Sequence, residues 1–499
     1  MTADTAAGGI FSPALRRQSV ALLTTVGLSS FEALAASAAL PAIAADLGDV
    51  ALLPWVITAY LLTSGVATVA AGALVDRHGI GPVFRWSIVT FVVGATLAGL
   101  APSMAGVIAA RVLQGVGSGA VTAVSLAAVT IVFPARLVSR AFAANSTVWG
   151  VMGVAGPALA AGLLAVASWR WVFLVAIPLG ASALALGWRS LPATPPTSAR
   201  GTGARLNPTV LGLLTVVSAS LLYAVDALDW TSAPAAVVCV GAGWLVLRLQ
   251  RGRSDALVAP RHAIDSPLGP LAFTPSLILV GGIGLSAFMP LYLAAGRGIA
   301  QASAAWSVVF FTVGWTLGAN VASRLVERWT PLVVTRGGVL LMPLALSAFA
   351  AGVLLDGPLW VLFALAVLGG SSAGTTTNSA LTILGRLAPT DELGRATAAH
   401  QFVRNTGFAV GNAMVGAVIL FVVATGSGDV GLVQEVLASA GEGAEGAMDE
   451  VADAIRRGYG VAVAIGAAIS ALALVPLRRV GRALQTIDGQ DGQMNTQRS

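Results

Sequence analysis

The sequence predicts an all-α membrane protein built from two related helical bundles. Three observations predict it. The 499 residues are 56% hydrophobic and only 10% charged, with mean hydropathy +0.85, whereas a soluble domain carries about 25% charge. The apolar residues fall in long continuous runs, which suit spanning helices and not the alternating strands of a membrane barrel. Short motifs also recur at a fixed offset, the mark of an internal repeat.

The runs read as fourteen spans, near 18–41, 51–74, 84–100, 104–133, 141–166, 171–190, 207–226, 232–249, 271–295, 303–324, 332–354, 358–385, 396–424 and 458–477. The first is too long for a signal peptide and has no small-residue cleavage site, so it is expected to be retained. Orientation follows from the basic residues, all 28 of which are arginine. With both termini in the cytoplasm, most of them fall on inner connections, Arg16, Arg17, Arg77, Arg136, Arg140, Arg251 and Arg395 among them. The outer loops hold only Arg170, Arg297, Arg456 and Arg457. This is the positive-inside pattern, and it accounts for the net charge of +6 without a nucleic-acid partner. The single cysteine, Cys239, leaves no role for disulfides.

The repeat divides the chain. "SRAFAAN" at 139–145 matches "GRATAAH" at 394–400, and "VLQG" at 112–115 matches "VLGG" at 367–370, both 255 residues apart. "LVDR" at 74–77 matches "LVER" at 325–328, and Arg85 matches Arg336, both 251 apart. Six spans with loops fill about 190 residues, so the offset leaves room for two more spans. The expected layout is a six-helix bundle over 1–191, a linker with two extra helices over 192–269, and a second six-helix bundle with a cytoplasmic tail over 270–499.

At this point the chain resembles the major facilitator superfamily, specifically its fourteen-span drug:proton antiporters. "GALVDRHGIG" at 72–81 resembles the family's loop between spans two and three, with Gly72, Leu74, Asp76, Arg77 and Gly79 matching and Ile80 and Gly81 in place of two basic residues. "RVLQGVGSG" at 111–119, containing Gln114, resembles the span-four motif. "GVMGVAGPALAAG" at 150–162 resembles the antiporter motif of span five through Gly153, Gly156 and Pro157, with Ala160 and Ala161 replacing paired glycines. "FEALAASAALPAIAADLG" at 31–48 resembles the first-span pattern and puts Glu32 on its acidic position. The resemblance implies the major facilitator fold and alternating access in the cytoplasmic membrane. It also implies that Asp76 forms a latch stabilising the outward-open state. Read from the residues alone, the alternative is a surface salt bridge beside Arg77.

The remaining candidates come from position. Arg111, Gly115 and Gly119 share one helix face at i, i+4, i+8, where glycine admits a neighbouring backbone for packing or for gating. Glu32 stands nine residues before Pro41 and Arg111 eight after Ser103, so they lie about 13 Å and about 12 Å below the outer ends of their spans. The pair reads as a static ion pair that sets register or as a proton site, since burial and a guanidinium pull a carboxylate's affinity for protons in opposite directions. His400 reads as a proton relay or as a hydrogen-bonding histidine at the inner end of its span; Arg404 follows at i+4 and is expected, with Phe31, Gln114 and Asn378, to line the substrate cavity. "SSAGTTTNS" at 371–379, with Asn378, fits a cavity lining or bonds across helices. Phe31, Trp149, Trp306, Phe310, Phe311 and Trp315 fit an apolar wall or helix packing. The segment 425–457 is acidic and amphipathic, fitting short helices on the outer surface.

No P-loop, metal cluster or catalytic constellation is present in the sequence, so neither an enzyme, a cofactor nor a bound metal is expected. The expected function is proton-coupled export of lipophilic small molecules, cationic ones included, by a monomer, the partners being substrate, protons and the bilayer. Export of a cell-envelope lipid or glycolipid is the alternative, and a non-transporting scaffold or receptor is the second.

Overall fold

The computed structural model describes residues 9–49, 52–191, 206–227, 232–253, 256–257, 266–389, 391–427 and 445–484. The linker at 192–205, Asp229, most of the acidic outer segment and the tail after 484 lie outside them. The described residues are helical throughout, with no strand among them. The helices are α1 (Arg16–Leu47), α2 (Leu53–His78), α3 (Ile80–Leu100), α4 (Met104–Val132), α5 (Ala135–Val166), α6 (Arg170–Leu174), α7 (Ala176–Gly187), α8 (Pro208–Ala227) and α9 (Ser232–Gln250). They continue as α10 (Leu268–Gly282), α11 (Gly284–Ala287), α12 (Met289–Arg297), α13 (Gln301–Ala305), α14 (Val308–Leu325), α15 (Pro331–Leu354), α16 (Leu359–Leu387), α17 (Leu393–Ser427) and α18 (Glu445–Ala471). Among the described residues, 11 helical stretches are long and apolar enough to cross a membrane, and α8 and α9 add shorter apolar stretches.

Local chemistry sets the boundaries. Ser103 caps α4 by accepting from Gly106 N at 3.2 Å, and Thr330 caps α15 by accepting from Val333 N. Gly79 ends α2 with φ of 82°, a conformation open to glycine and strained for other residues. Several expected spans are interrupted, and proline explains two of the breaks. Pro178 has no N–H for the carbonyl four residues earlier, Leu174, and the helix breaks there between α6 and α7. Pro290 does the same toward Ser286, at the junction of α11 and α12.

Contacts sort the chain into two compact units. The first holds Met1–Leu222, Ala236–Gly269 and Leu381–Phe402, and the second holds Tyr223–Ala235, Pro270–Ala380 and Val403–Ser499. In the first, α4 packs against α2 on one side and α3 on the other. The approach to α2 is backbone to backbone: a methyl added at Gly115 would stand 2.6 Å from Tyr60 O, and one at Gly119 would overlap Ser64 O. The second unit repeats the device between α16 and α14, where methyls at Gly370 and Gly374 would overlap Phe311 O and Trp315 O. The two glycines are displaced by 255 residues (370 − 115, 374 − 119) and the two carbonyls by 251 (311 − 60, 315 − 64). The sequence motifs carry the same two offsets, so the repeat is a repeat of helix packing.

Gly115→Ala is expected to destabilise the protein by ~1–3 kcal/mol through overpacking. Gly337→Ala on α15, where nothing lies within 4 Å of the added methyl, is expected to be neutral or slightly stabilising. Thermal unfolding of the two variants in detergent checks the contrast.

Candidate functional site

The first unit holds a closed polar cluster assembled from α1, α2, α4 and α6. On α4, Arg111, Gln114, Gly115 and Ser118 recur at i, i+3, i+4 and i+7, which puts them on one face. Gly115 lets α2 come close enough for its backbone to serve the guanidinium. Arg111 Nε donates to Val56 O at 3.0 Å, and the guanidinium carbon lies 4.0 Å above the Tyr60 ring. Arg111 Nη1 donates to Glu32 Oε1 on α1 and to Gln114 Oε1, both at 2.7 Å. Phe173 on α6 covers the guanidinium from 5.7 Å, and the Tyr60 hydroxyl is 2.7 Å from Ser118 Oγ. Glu32 is 0% and Arg111 1% exposed.

The cluster is incompletely satisfied. Glu32 Oε2 and Gln114 Nε2 are buried with no hydrogen-bond partner. A buried ion pair offsets its desolvation only when its remaining polar atoms are also bonded. A carboxylate with one oxygen on a guanidinium and the other unoccupied has a place for a proton. The repeat shows that packing does not require the pair. The 255-residue offset puts buried Ala366 at the place of Arg111 (111 + 255), and the stretch 279–287 of the second unit's first span, around the place of Glu32, holds no charged residue.

A second cluster lies at the other end of α2. Asp76 is 3% exposed at its side chain and accepts from Gly394 N at 2.7 Å, Arg395 N at 2.9 Å and Arg395 Nε at 3.3 Å. Gly394 and Arg395 begin α17, so Asp76 caps that helix from outside, where free amides and the helix dipole favour an anion. Gly72, one turn earlier, has no room for a methyl against Gly394 O and Ala398. Arg395 Nη1 donates to Ala256 O at 3.1 Å and Nη2 lies 3.3 Å from Glu392 Oε1. The neighbouring Leu257 joins Val69 and Ala73 of α2, Val210 and Leu214 of α8 and Val246 of α9 in one apolar cluster. The surface salt bridge to Arg77 is therefore corrected: Arg77 is exposed, and the partner is Arg395, 319 residues away in sequence and buried. Arg85 on α3 lies with its guanidinium carbon 5.0 Å over the Trp188 ring.

Other candidates are placed differently from one another. Phe31 is buried with Ala35, Met104 and Val107 in an apolar cluster. The polar run of α16 bonds across helices. Ser371 Oγ donates to Gly314 O, Ser372 Oγ to Gly338 O, Thr375 Oγ1 to Gly318 O and Asn378 Nδ2 to Ala319 O, at 2.7–3.1 Å. Of the two readings of that run, the cross-helix one describes these four side chains, because close helices bring backbone carbonyls within their reach. His400 is buried on the part of α17 in the first unit, whereas Arg404 belongs to the second. Helix α5 runs unbroken through Gly153, Gly156 and Pro157, with Gly156 buried and Gly153 half-buried. Trp149 and Trp306 are exposed, and Phe310 stacks on Phe363 at 4.3 Å. A cavity of about 450 Å³ lies beside Ala42, Leu164 and Trp169. Its two charges face each other: Arg170 Nη1 donates to Asp46 Oδ2 at 2.7 Å. That bond and one from Trp169 Nε1 hold the Asp46 carboxyl below its usual range.

Comparison with known proteins places this geometry in a family. A model of the Major Facilitator Superfamily matches residues 22–412. An uncharacterized MFS-type transporter of Mycobacterium tuberculosis, Rv1877, is 28% identical over 434 residues, covering 84% of this chain and 62% of the relative. The multidrug resistance protein B homolog of the same organism is 26% identical over 344 residues, covering 68% of this chain and 64% of the relative. The chain thus spans less than two thirds of the length of these relatives. Among solved structures, the human organic anion transporter MFSD10 shares the fold with TM-score 0.62 at 16% identity, covering 94% of this chain and 99% of that one. The proton:xylose symporter XylE does so with TM-score 0.58 at 13% identity, covering 91% and 94%.

Tyr60→Phe removes the bond to Ser118 and keeps the ring beneath Arg111, so a loss of about 1 kcal/mol in stability is expected. Tyr60→Ala also uncovers the guanidinium, and its loss in a detergent melt is expected to be several times greater.

Proposed function

This chain belongs to the Major Facilitator Superfamily, and we propose that it is a proton-coupled antiporter that exports lipophilic small molecules by alternating access. We place it among the fourteen-span members, in the cytoplasmic membrane, with both termini inside. The arginine asymmetry of the sequence supports the orientation. The efflux direction draws support from the relative named as a multidrug resistance protein.

The observation that carries the reading is the Glu32–Arg111 pair, present in one unit and matched by no charge at the corresponding places of the other. A charge pair at membrane depth is costly, and a fold that packs without it retains it for another reason. Arg111 has seats that do not depend on Glu32 being charged: Val56 O, Gln114 Oε1 and the Tyr60 face. A proton can therefore arrive at Glu32 without casting the guanidinium loose. With Glu32 neutral, Arg111 is a cation without a counter-charge and favours the conformation that hydrates it; with Glu32 ionised, the closed pair is favoured. Substrate binding and proton binding that favour opposite states give antiport. Asp76 supplies a latch in the same scheme, since α2 and the start of α17 separate only when the carboxylate gives up two backbone amides and a guanidinium.

Glu32→Gln keeps the shape and removes the titration. It is expected to abolish transport driven by a pH gradient in proteoliposomes while the protein stays folded, and Glu32→Asp to retain part of the rate. Substrate-induced proton release from detergent-purified protein reads the same site directly. Release from Glu32→Gln equal to wild type would move the coupling site elsewhere, with His400 next in line.

Asp76→Asn presents an amide donor to the amides that Asp76 accepts from. Normal expression with turnover reduced at least about tenfold is the expected result, the cost of losing charge-assisted bonds. Disappearance of the protein from the membrane fraction would instead assign Asp76 a purely structural role.

A further inference from the structure

The charge that attracts attention in the sequence is Glu32, and an acid at membrane depth suggests a cationic substrate. The structure alters that argument, because Glu32 is closed onto Arg111. Asp76 is likewise committed to Arg395 and the start of α17. The membrane-depth charge left over is positive.

That charge is Arg404. It lies 11 residues after Leu393 and 19 before Val423 in the apolar stretch Leu393–Val423, about 16 Å and about 28 Å from its ends. Its Nη2 donates to the adjacent Asn405 Oδ1 at 3.1 Å, and its Nε is buried without a partner. No carboxylate pairs with it among the described residues. The acids with known partners in its unit are committed elsewhere: Asp356, following α15, pairs with Arg297 and Arg456, and Asp453 pairs with Arg456 and Arg457. Arg404, Asn405, Phe408 and Asn412 recur at i, i+1, i+4 and i+8, hence on one face of α17. Phe408 is exposed, Arg404 half-buried, and Asn412 Oδ1 buried without a partner. One helix face thus presents an uncompensated guanidinium fork, two amides and an aromatic ring.

We propose that this face of α17 binds the head of the substrate, and that the head is anionic: a carboxylate, phosphate or sulfonate on a lipophilic body. A guanidinium with a free Nε offers a two-donor fork that matches the paired oxygens of such groups. The amides of Asn405 and Asn412 add neutral donors, and Phe408 meets the apolar body. A cation at the same place meets an uncompensated positive charge in a medium that screens poorly. The inference rests on the chain being a transporter, but not on proton coupling at Glu32.

The test uses two ions of one shape and opposite sign, tetraphenylborate and tetraphenylphosphonium, titrated calorimetrically into the purified full-length protein in maltoside detergent. The borate is expected to bind at least about tenfold tighter, because the two ions differ only in the sign of their charge and the site screens poorly. Arg404→Gln is expected to bring the two affinities within about twofold of each other, and Arg404→Lys to keep the preference for the anion. Equal or tighter binding of the phosphonium by wild type overturns the proposal, as does an undiminished anion preference in Arg404→Gln. If Arg404→Gln does not fold, the wild-type preference alone decides the sign. Dodecyl phosphate and dodecanoate, as competitors of the borate, separate a phosphate head from a carboxylate; competition by either supports the proposal, and by neither overturns it. Binding requires no pH gradient, so a failure of proton coupling in Glu32→Gln leaves this result standing.

Discussion

Arg111 cannot be left alone at its depth, and much of the first unit is arranged around that fact. Its guanidinium takes a carboxylate from α1, a backbone carbonyl and an aromatic face from α2, and an amide from its own helix. None of the α2 contacts would reach if α4 carried a side chain at 115, because the Tyr60 carbonyl stands where a methyl would be. The glycine face and the charge cluster are thus one construction. Close approach of two backbones is what makes a mid-membrane cation tolerable, and the cation in turn ties together four helices that apolar packing alone would leave free to slide.

The second unit shows what the same packing does without charge. Its glycine contacts reproduce those of the first at the same displacements, yet Ala366 occupies the place of Arg111 and the stretch 279–287, around the place of Glu32, carries no charge. Specificity there comes from short side chains. Ser371, Ser372, Thr375 and Asn378 each give a donor to a carbonyl on a neighbouring helix. A duplicated scaffold has taken two routes to register, ionic in one copy and neutral in the other.

The sequence made some of this legible and concealed the rest for identifiable reasons. Glu32 and Arg111 were found by counting residues from span ends, because helical rise is constant and depth follows from number. The repeat shows in a handful of letters, and one matched pair, Gly115 and Gly370, is a pair of packing glycines with no room for a methyl. The partner of Asp76 was hidden, because Arg395 lies 319 residues away in sequence and an exposed arginine stands next to the aspartate. The polar run of α16 was ambiguous because serine and threonine look alike whether they face water or a carbonyl, and only the position of the opposing backbone decides. The breaks at Pro178 and Pro290 were available in principle, since each proline denies a bond to the residue four before it, but length and hydropathy carried the reading across them.

Charge at depth gives the remaining step. A low-dielectric interior allows an ionised side chain only where something answers it. Arg111 is answered by Glu32, and Arg395 by Asp76 and Glu392. Among the described residues, Arg404 bonds a neighbouring amide and no carboxylate. In a static membrane protein such a residue would be a defect with a cost in stability and nothing to offset it. In a transporter the missing counter-charge is a ligand that comes and goes, and the cost of leaving Arg404 unanswered falls on the empty protein. An anion that answers it lowers the energy of the state in which it binds relative to the state in which it is absent. That differential is the quantity a transport cycle needs, since a ligand shifts a conformational equilibrium only by the difference in its affinity for the two states.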